Sequence, residues 1–224
     1  MPEQRRRADA LRNSDRIVRA AIVALHDSGT AVPLEEIARR AGVGIATVYR
    51  RFGDRDSVIR AAFETYFAEE IEPVVQAARQ AADPRQGLTD ALAATVDTLA
   101  AHRALLTAAR EAGAFQVGIA ERFMGPLGDV LAVARERGLV REDLLVRDLA
   151  AIVVMALATV RMGADDGDQR RYLALLLDGT RPSPQPLPGL ADERIFPRQV
   201  AESRPAEGAC PPEGACSAED PRPR

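Results

Sequence analysis

Lysine does not occur in this 224-residue chain; all thirty of its basic residues are arginine. Together with abundant alanine this fits GC-rich coding, and it carries no mechanism. Histidine and cysteine are scarce, at two each. His26 and His102 lie far apart in the sequence, and no H-E-x-x-H, Walker loop or G-x-S-x-G surrounds either. Neither a metal-ligand cluster nor a nucleophile–base pair is on offer, so no metal and no cofactor is expected. Cys210 and Cys216 both fall near the C-terminus and six residues apart, which excludes a disulfide framework and a C-x-x-C redox pair. Long apolar runs are missing as well. The longest, Leu149 to Val160, is twelve residues bounded by Asp148 and Arg161, too short to cross a bilayer. The charged N-terminus lacks an apolar stretch, so neither a signal peptide nor a membrane partner is expected, and the cytoplasm is the expected location.

What is present is charge, unevenly placed. The net charge is −3, yet residues 1–60 hold 12 Arg against 8 Asp and Glu while the remainder holds 18 against 25. A basic N-terminal module on an acidic body is the footprint of a localised DNA contact. Length allows one such module and one larger helical domain.

The module centres on Ala38 to Tyr49. Leu34, Ile37, Ala38 and Ala41 recur at i, i+3, i+4 and i+7, giving a helix with one apolar face. Gly42 lets the chain turn through the left-handed region. Val43, Val48 and Phe52 then give the inward face of a second helix. A small residue, a glycine four on and a valine six beyond make the spacing of a helix-turn-helix, whose second helix enters a major groove. An ordinary helical hairpin is the alternative. Against it stand Tyr49, Arg50, Arg51 and Arg55, which suit a phosphate backbone better than a packing surface.

On these residues the chain resembles the DNA-binding domain of the tetracycline-repressor (TetR) family of bacterial transcriptional regulators, from Ile17 to Phe67. The matching residues are Arg16 to Ala21, Gly29, Leu34 to Ala38, Ala41-Gly42-Val43, Thr47-Val48-Tyr49, Phe52 and Arg55. Gly44 stands where serine is usual, Ala46 where glycine is common and Arg55 where lysine is usual. The resemblance implies a homodimer that reads a palindromic operator in double-stranded DNA and answers to a small-molecule effector. Residues 83 to 182 resemble the group with an SbtR-like C-terminal domain.

The expected fold is all-α. An arm (1–12) precedes a three-helix head (13–60), a helical effector-binding and dimerisation bundle (61–180) and a disordered Pro-rich tail (181–224). The arm contains Arg5-Arg6-Arg7 and reads either as a solvated terminus or as a reach toward phosphate or the minor groove. The first helix is expected to start at Asn13 or Ser14, with Ile17, Ala21 and Leu25 buried. Pro73 should kink or divide the helix that begins after Asp54, and Gly125-Pro126 should interrupt another. Helices from Asp143 to Arg161 and Asp168 to Asp178 are expected to form the dimer interface, with Leu176 in it. The tail holds ten of the fifteen prolines and cannot offset its ordering entropy.

Functional roles follow from side-chain chemistry. Thr47, Tyr49, Arg50 and Arg55 are expected on phosphates, and Gly44, Ile45 and Ala46 near base edges. Arg40 or Arg51 is a candidate for a guanine contact. For the effector the candidates are Phe67, His102, Arg103, Phe115, Phe123, Met124 and Met155, each of which also fits plain core packing. The reading is a ligand-responsive regulator, most often a repressor in this family. Its rivals are an all-α enzyme and an interaction module that has lost DNA binding.

Overall fold

The computed structural model describes residues 2–115, 117–161 and 166–189, and among these every regular element is helical. The first helix, α1, runs Pro2–Ser28. It starts well before Asn13 because nothing between residues 3 and 12 breaks a helix, and Arg12 pairs with Asp9 one turn away. Ser14 is therefore interior: its hydroxyl donates to the Ala10 carbonyl at 3.0 Å instead of capping. The expected stripe holds, since Ile17, Ala21 and Leu25 are fully buried. Each large one stabilises the head by roughly 1.5–3 kcal/mol through burial.

Helix α2 (Leu34–Ala41) follows, then α3 (Ile45–Phe52). Between them Gly42 adopts φ 64° and ψ 39°, and the Val43 amide donates back to the Ala38 carbonyl at 3.1 Å. This closes α2 in a Schellman arrangement that a residue with a β-carbon would strain. Val48 is fully buried between α2 and its neighbours, as the motif spacing required. Asp54 accepts from the Ser57 amide at 2.7 Å and caps α4 (Arg55–Tyr66).

α4 does not end at Tyr66. It passes through a wide π-helical stretch, Phe67–Ile71, into α5 (Glu72–Ala78). Pro73 explains the stretch: it has no N–H for the Glu69 carbonyl and its ring crowds that group, so the chain widens by one residue. α6 (Pro84–Ala101) is capped by Asp83, whose carboxylate accepts from the Arg85 and Gln86 amides. α7 (Arg103–Glu111) and α8 (Val117–Glu136) come next. Contrary to expectation, α8 continues through Pro126. Leu127 and Leu131, both fully buried, hold the segment after the proline against the core. α9 (Val146–Arg161) and α10 (Asp166–Asp178) complete the set.

Residues 1–188 form one unit with a continuous core. α1 packs on α2, α4 and α7; α5 and α6 pack on α8; α9 joins α6, α8 and α10. Residues 181–189 have no regular structure, but their start is tied down. Arg141, nearly buried, donates to the Gln185 carbonyl at 2.8 Å, and the Leu187 amide donates to Asp143 at 2.6 Å. The rest of the expected tail, from residue 190 and including Cys210 and Cys216, lies outside the described residues, as does the bulk of the second unit.

Candidate nucleic-acid interface

α3 has two faces with different commitments. Ile45, Val48 and Phe52 face the core, Ile45 and Phe52 being half-buried against it. Ala46, Tyr49 and Arg50 are exposed and share the opposite side at i, i+3 and i+4. Tyr49 is 51% exposed although it is a large aromatic residue. Arg50 has no hydrogen-bond or ion-pair partner among the described residues. Gly44 opens the helix without a side-chain cap, and its carbonyl accepts from the Thr47 amide at 2.8 Å. An exposed tyrosine hydroxyl and an unpaired guanidinium beside small residues make a surface that can approach a polyanion closely.

The other arginines proposed for DNA contact are engaged inside the protein. Arg51 donates to the Ser14 hydroxyl at 2.6 Å, tying α3 to α1. Arg40 pairs with Asp27 at 2.6 Å and with Glu36 at 2.7 Å, and its side chain is only 24% exposed. Arg55 donates through Nε to the Val32 carbonyl at 3.1 Å and through Nη2 to the Thr30 carbonyl. Arg40 and Arg55 are thus turned inward, because carboxylates and bare carbonyls lie within their reach. Glu36 accepts from both Arg39 and Arg40, and these hydrogen bonds, Arg39's first, hold its carboxyl down at about 2. Arg39 remains largely solvent-exposed beside it. Arg16, absent from the sequence-based candidates, donates to the Ala41 and Gly42 carbonyls.

In the body the ring candidates do gather. Phe67 and Phe123 lie 6.3 Å apart, Phe63 is 6.2 Å from Phe67, and Phe115 is 4.9 Å from Phe63. Phe67 is buried, Phe123 half-buried and Phe115 52% exposed. The Arg122 guanidinium stands 5.8 Å over the Phe67 ring and pairs with Glu72 at 3.0 Å. His102 forms a second group: its Nδ1 is 2.9 Å from the Tyr66 hydroxyl, and its ring is 5.2 Å from that of His26 on α1. Tyr66 also donates to the Thr98 carbonyl, and burial first, Glu70 second, push its phenol up to about 12. Met124 is buried, Arg103 is exposed, and Met155 lies apart on the exposed side of α9 beside Val154. Two open clefts, about 600 Å³ between α1 and α2 and about 370 Å³ between α6 and α10, are lined by other residues.

No group of three or more His, Cys, Asp or Glu side chains among the described residues is placed to hold a metal. No helix among them is long and apolar enough to cross a membrane.

Residues 17–62 match the family described as bacterial regulatory proteins, tetR family, and residues 83–182 match the SbtR-like C-terminal domain of transcriptional regulators. An uncharacterised HTH-type transcriptional regulator of Mycobacterium tuberculosis is 30% identical over 154 residues, covering 65% of this chain and 79% of that one. A TetR regulatory protein of known structure from Mycobacterium vanbaalenii is 30% identical, with a TM-score of 0.55 over 78% of this chain and 98% of that one. The regulator FadR of Bacillus subtilis, solved with stearoyl-CoA, has a TM-score of 0.57 over 73% of this chain and 97% of that one. At 19% identity it shares the fold alone.

Proposed function

The chain belongs to the TetR family of bacterial transcriptional regulators, with an SbtR-like C-terminal domain, and we propose that it acts as a dimeric repressor released from its operator by a small molecule. It is a DNA-binding regulator, not an enzyme. One observation carries the finer reading: two surfaces on different ends of the chain are left uncovered, each suited to a different partner. The first is the Ala46, Tyr49 and Arg50 face of α3, with Gly44 and Thr47 at its edge. It suits a major groove and its phosphates.

The second surface is apolar. Val154 (65% exposed), Met155, Tyr172 and Leu175 (61% exposed) stand out from α9 and α10. Large apolar side chains left exposed on two helices that pack together suit a protein–protein contact. Pairing with a second copy through a four-helix bundle would cover them and present two α3 helices to a palindrome. Leu176, expected in this interface, packs partly buried against the core, so Leu175 is the outward residue.

The effector reading rests on the ring cluster. Phe63, Phe67, Phe115 and Phe123, with Arg122 above them, adjoin the π-helical stretch between head and body. A mostly apolar molecule entering there would separate the rings and shift α4, and so weaken DNA binding by linkage. The stearoyl-CoA of the Bacillus subtilis regulator belongs to that protein; for this chain the rings favour an apolar or aromatic ligand. The regulator would work in the cytoplasm, where the operator is.

A gel shift tests the reading. The full chain should retard a duplex taken from upstream of its own gene, and Tyr49→Ala should abolish the shift. Retention of the upstream duplex by Tyr49→Ala at unchanged affinity would place the DNA surface elsewhere.

A further inference from the structure

Two arginines close on the ends of α2 from outside it, and a third reaches out of it. Arg16, on α1, donates to the carbonyls of Ala41 and Gly42, where α2 ends and the turn begins. Arg55, the first residue of α4, donates to the carbonyls of Thr30 and Val32, in the loop that leads into α2. Arg40, within α2, reaches back to Asp27 of α1. Both terminal contacts set a guanidinium on two backbone carbonyls that no helix satisfies, Arg16 through Nη2 alone and Arg55 through the fork of Nε and Nη2. At the C-terminal end the arginine also meets the negative pole of the helix. Gly42 makes this possible in a second way besides its dihedral angles. A β-carbon there would lie 2.7 Å from an Arg16 terminal nitrogen.

The consequence reaches α3 through the chain. Only Gly42, Val43 and Gly44 separate the end of α2 from the start of α3, so the hold on α2 acts on α3 together with buried Val48 and the Arg51–Ser14 contact. Ala46, Tyr49 and Arg50 depend on that placement, since none of them has a contact of its own that orients the helix. Arg55 begins the helix after the reading helix, and its charge alone would make it a phosphate contact. Its inward edge is already committed.

We infer that Arg16 and Arg55 are positioning residues for DNA recognition, a bracket on the two ends of α2 that sets the placement of the recognition helix, and not phosphate contacts. Arg50 is the cation that meets the backbone. The two roles give different salt dependence. A phosphate contact releases counterions, so its loss lowers the slope of log affinity against log salt by about one. A bracket releases none.

The experiment measures operator binding by the full-length dimer across a salt series. The probe is a duplex selected from a random-sequence library by the unaltered protein, with a random duplex as control. Arg55→Ala and Arg16→Ala should each weaken binding on the order of tenfold, as expected for losing charge-assisted hydrogen bonds, with the slope unchanged. Both should also tolerate altered spacing between half-sites, because α3 is no longer fixed. Arg50→Ala should lower the slope by about one and leave spacing preference intact. Arg55→Lys keeps the charge but not the planar fork, and should behave like Arg55→Ala. Should Arg55→Ala fail to fold, Arg55→Lys still decides the point, and faster hydrogen exchange at the Glu36 and Ile37 amides of that variant, which donate to the Pro33 carbonyl beside the Arg55 contact, supplies a reading without DNA. A slope lowered by about one in Arg55→Ala, or full affinity in Arg55→Lys, would overturn the assignment. So would variants that melt earlier yet bind with unchanged affinity and spacing preference at temperatures where they are folded.

Discussion

The head and the body leave opposite things uncovered. In the head, most apolar side chains are buried, with Leu11 and Val23 of α1 the large exceptions, and most charge is tied up in pairs: Arg40 with Asp27 and Glu36, Arg19 with Asp15 and Glu69, Arg39 with Glu36. What remains open on α3 is Tyr49 and Arg50. In the body, the large apolar residues left open on α9 and α10 are Val154, Met155, Tyr172 and Leu175. A polyanion can be met only with donors and cations, and a second copy of an apolar helix pair only with apolar area. What each region fails to satisfy internally is therefore the best guide to its partner.

The comparison is sharpened most by placing a charge in the apolar region. Leu175→Glu should produce monomers, because a buried carboxylate on each copy costs about 4 kcal/mol or more, on the order of a thousandfold in association. Light scattering checks the mass, and the monomer should still fold because Leu175 lies outside the core, melting earlier than the dimer only by the association it has lost. Next in size is Val48→Ala, which removes the wedge under α3 and should destabilise the head by about 2 kcal/mol in a melt. The dimer mass should not change, since Val48 is remote from α9 and α10 in sequence and packing. Phe123→Ala should cost less stability, about 1 kcal/mol for a half-buried ring, and should lose effector release while operator affinity stays.

The smallest effect concerns acid. Asp143 is held down at about 2, first by hydrogen bonding to Arg141 and then by the Leu187 amide. Its folded value lies below its unfolded one, so this stabilisation is fully present above about pH 4 and is lost as pH falls through about 2. Asp143→Asn should therefore melt slightly earlier at neutral pH, and the gap to the unaltered protein should close near pH 2. Circular dichroism melts at both pH values measure it.

The turn and the two short helices were legible because their geometry has few solutions. Gly42 is required where φ is positive, and Val48 is required where two helices leave a gap. Two features of the helices were misread for a shared reason. Asn13 and Ser14 favour a helix start only when the preceding residues cannot be helical, and residues 3–12 can. Gly125-Pro126 favours a break only when the following turn lacks packing, and Leu127 and Leu131 supply it. Pro73 was read correctly as a disturbance, but sequence does not say that widening the helix by one residue is the solution. The arginines were the least legible. Composition places a guanidinium at positions 40 and 55, but its direction depends on Asp27, Thr30 and Val32, which only the fold brings near. Arg16 carries part of the family resemblance but receives no role from sequence, because the Ala41 and Gly42 carbonyls it holds lie 25 and 26 residues away.

The central claim is that two chains, joined through α9 and α10, present two α3 helices to one operator. The most direct test is the mass of the protein–DNA complex by light scattering, on the duplex selected by the unaltered protein. Two chains per duplex for the unaltered protein, and no stable complex for Leu175→Glu at the same concentration, are the predicted results. A single chain per duplex, or Leu175→Glu binding with unchanged affinity and stoichiometry, would contradict the account.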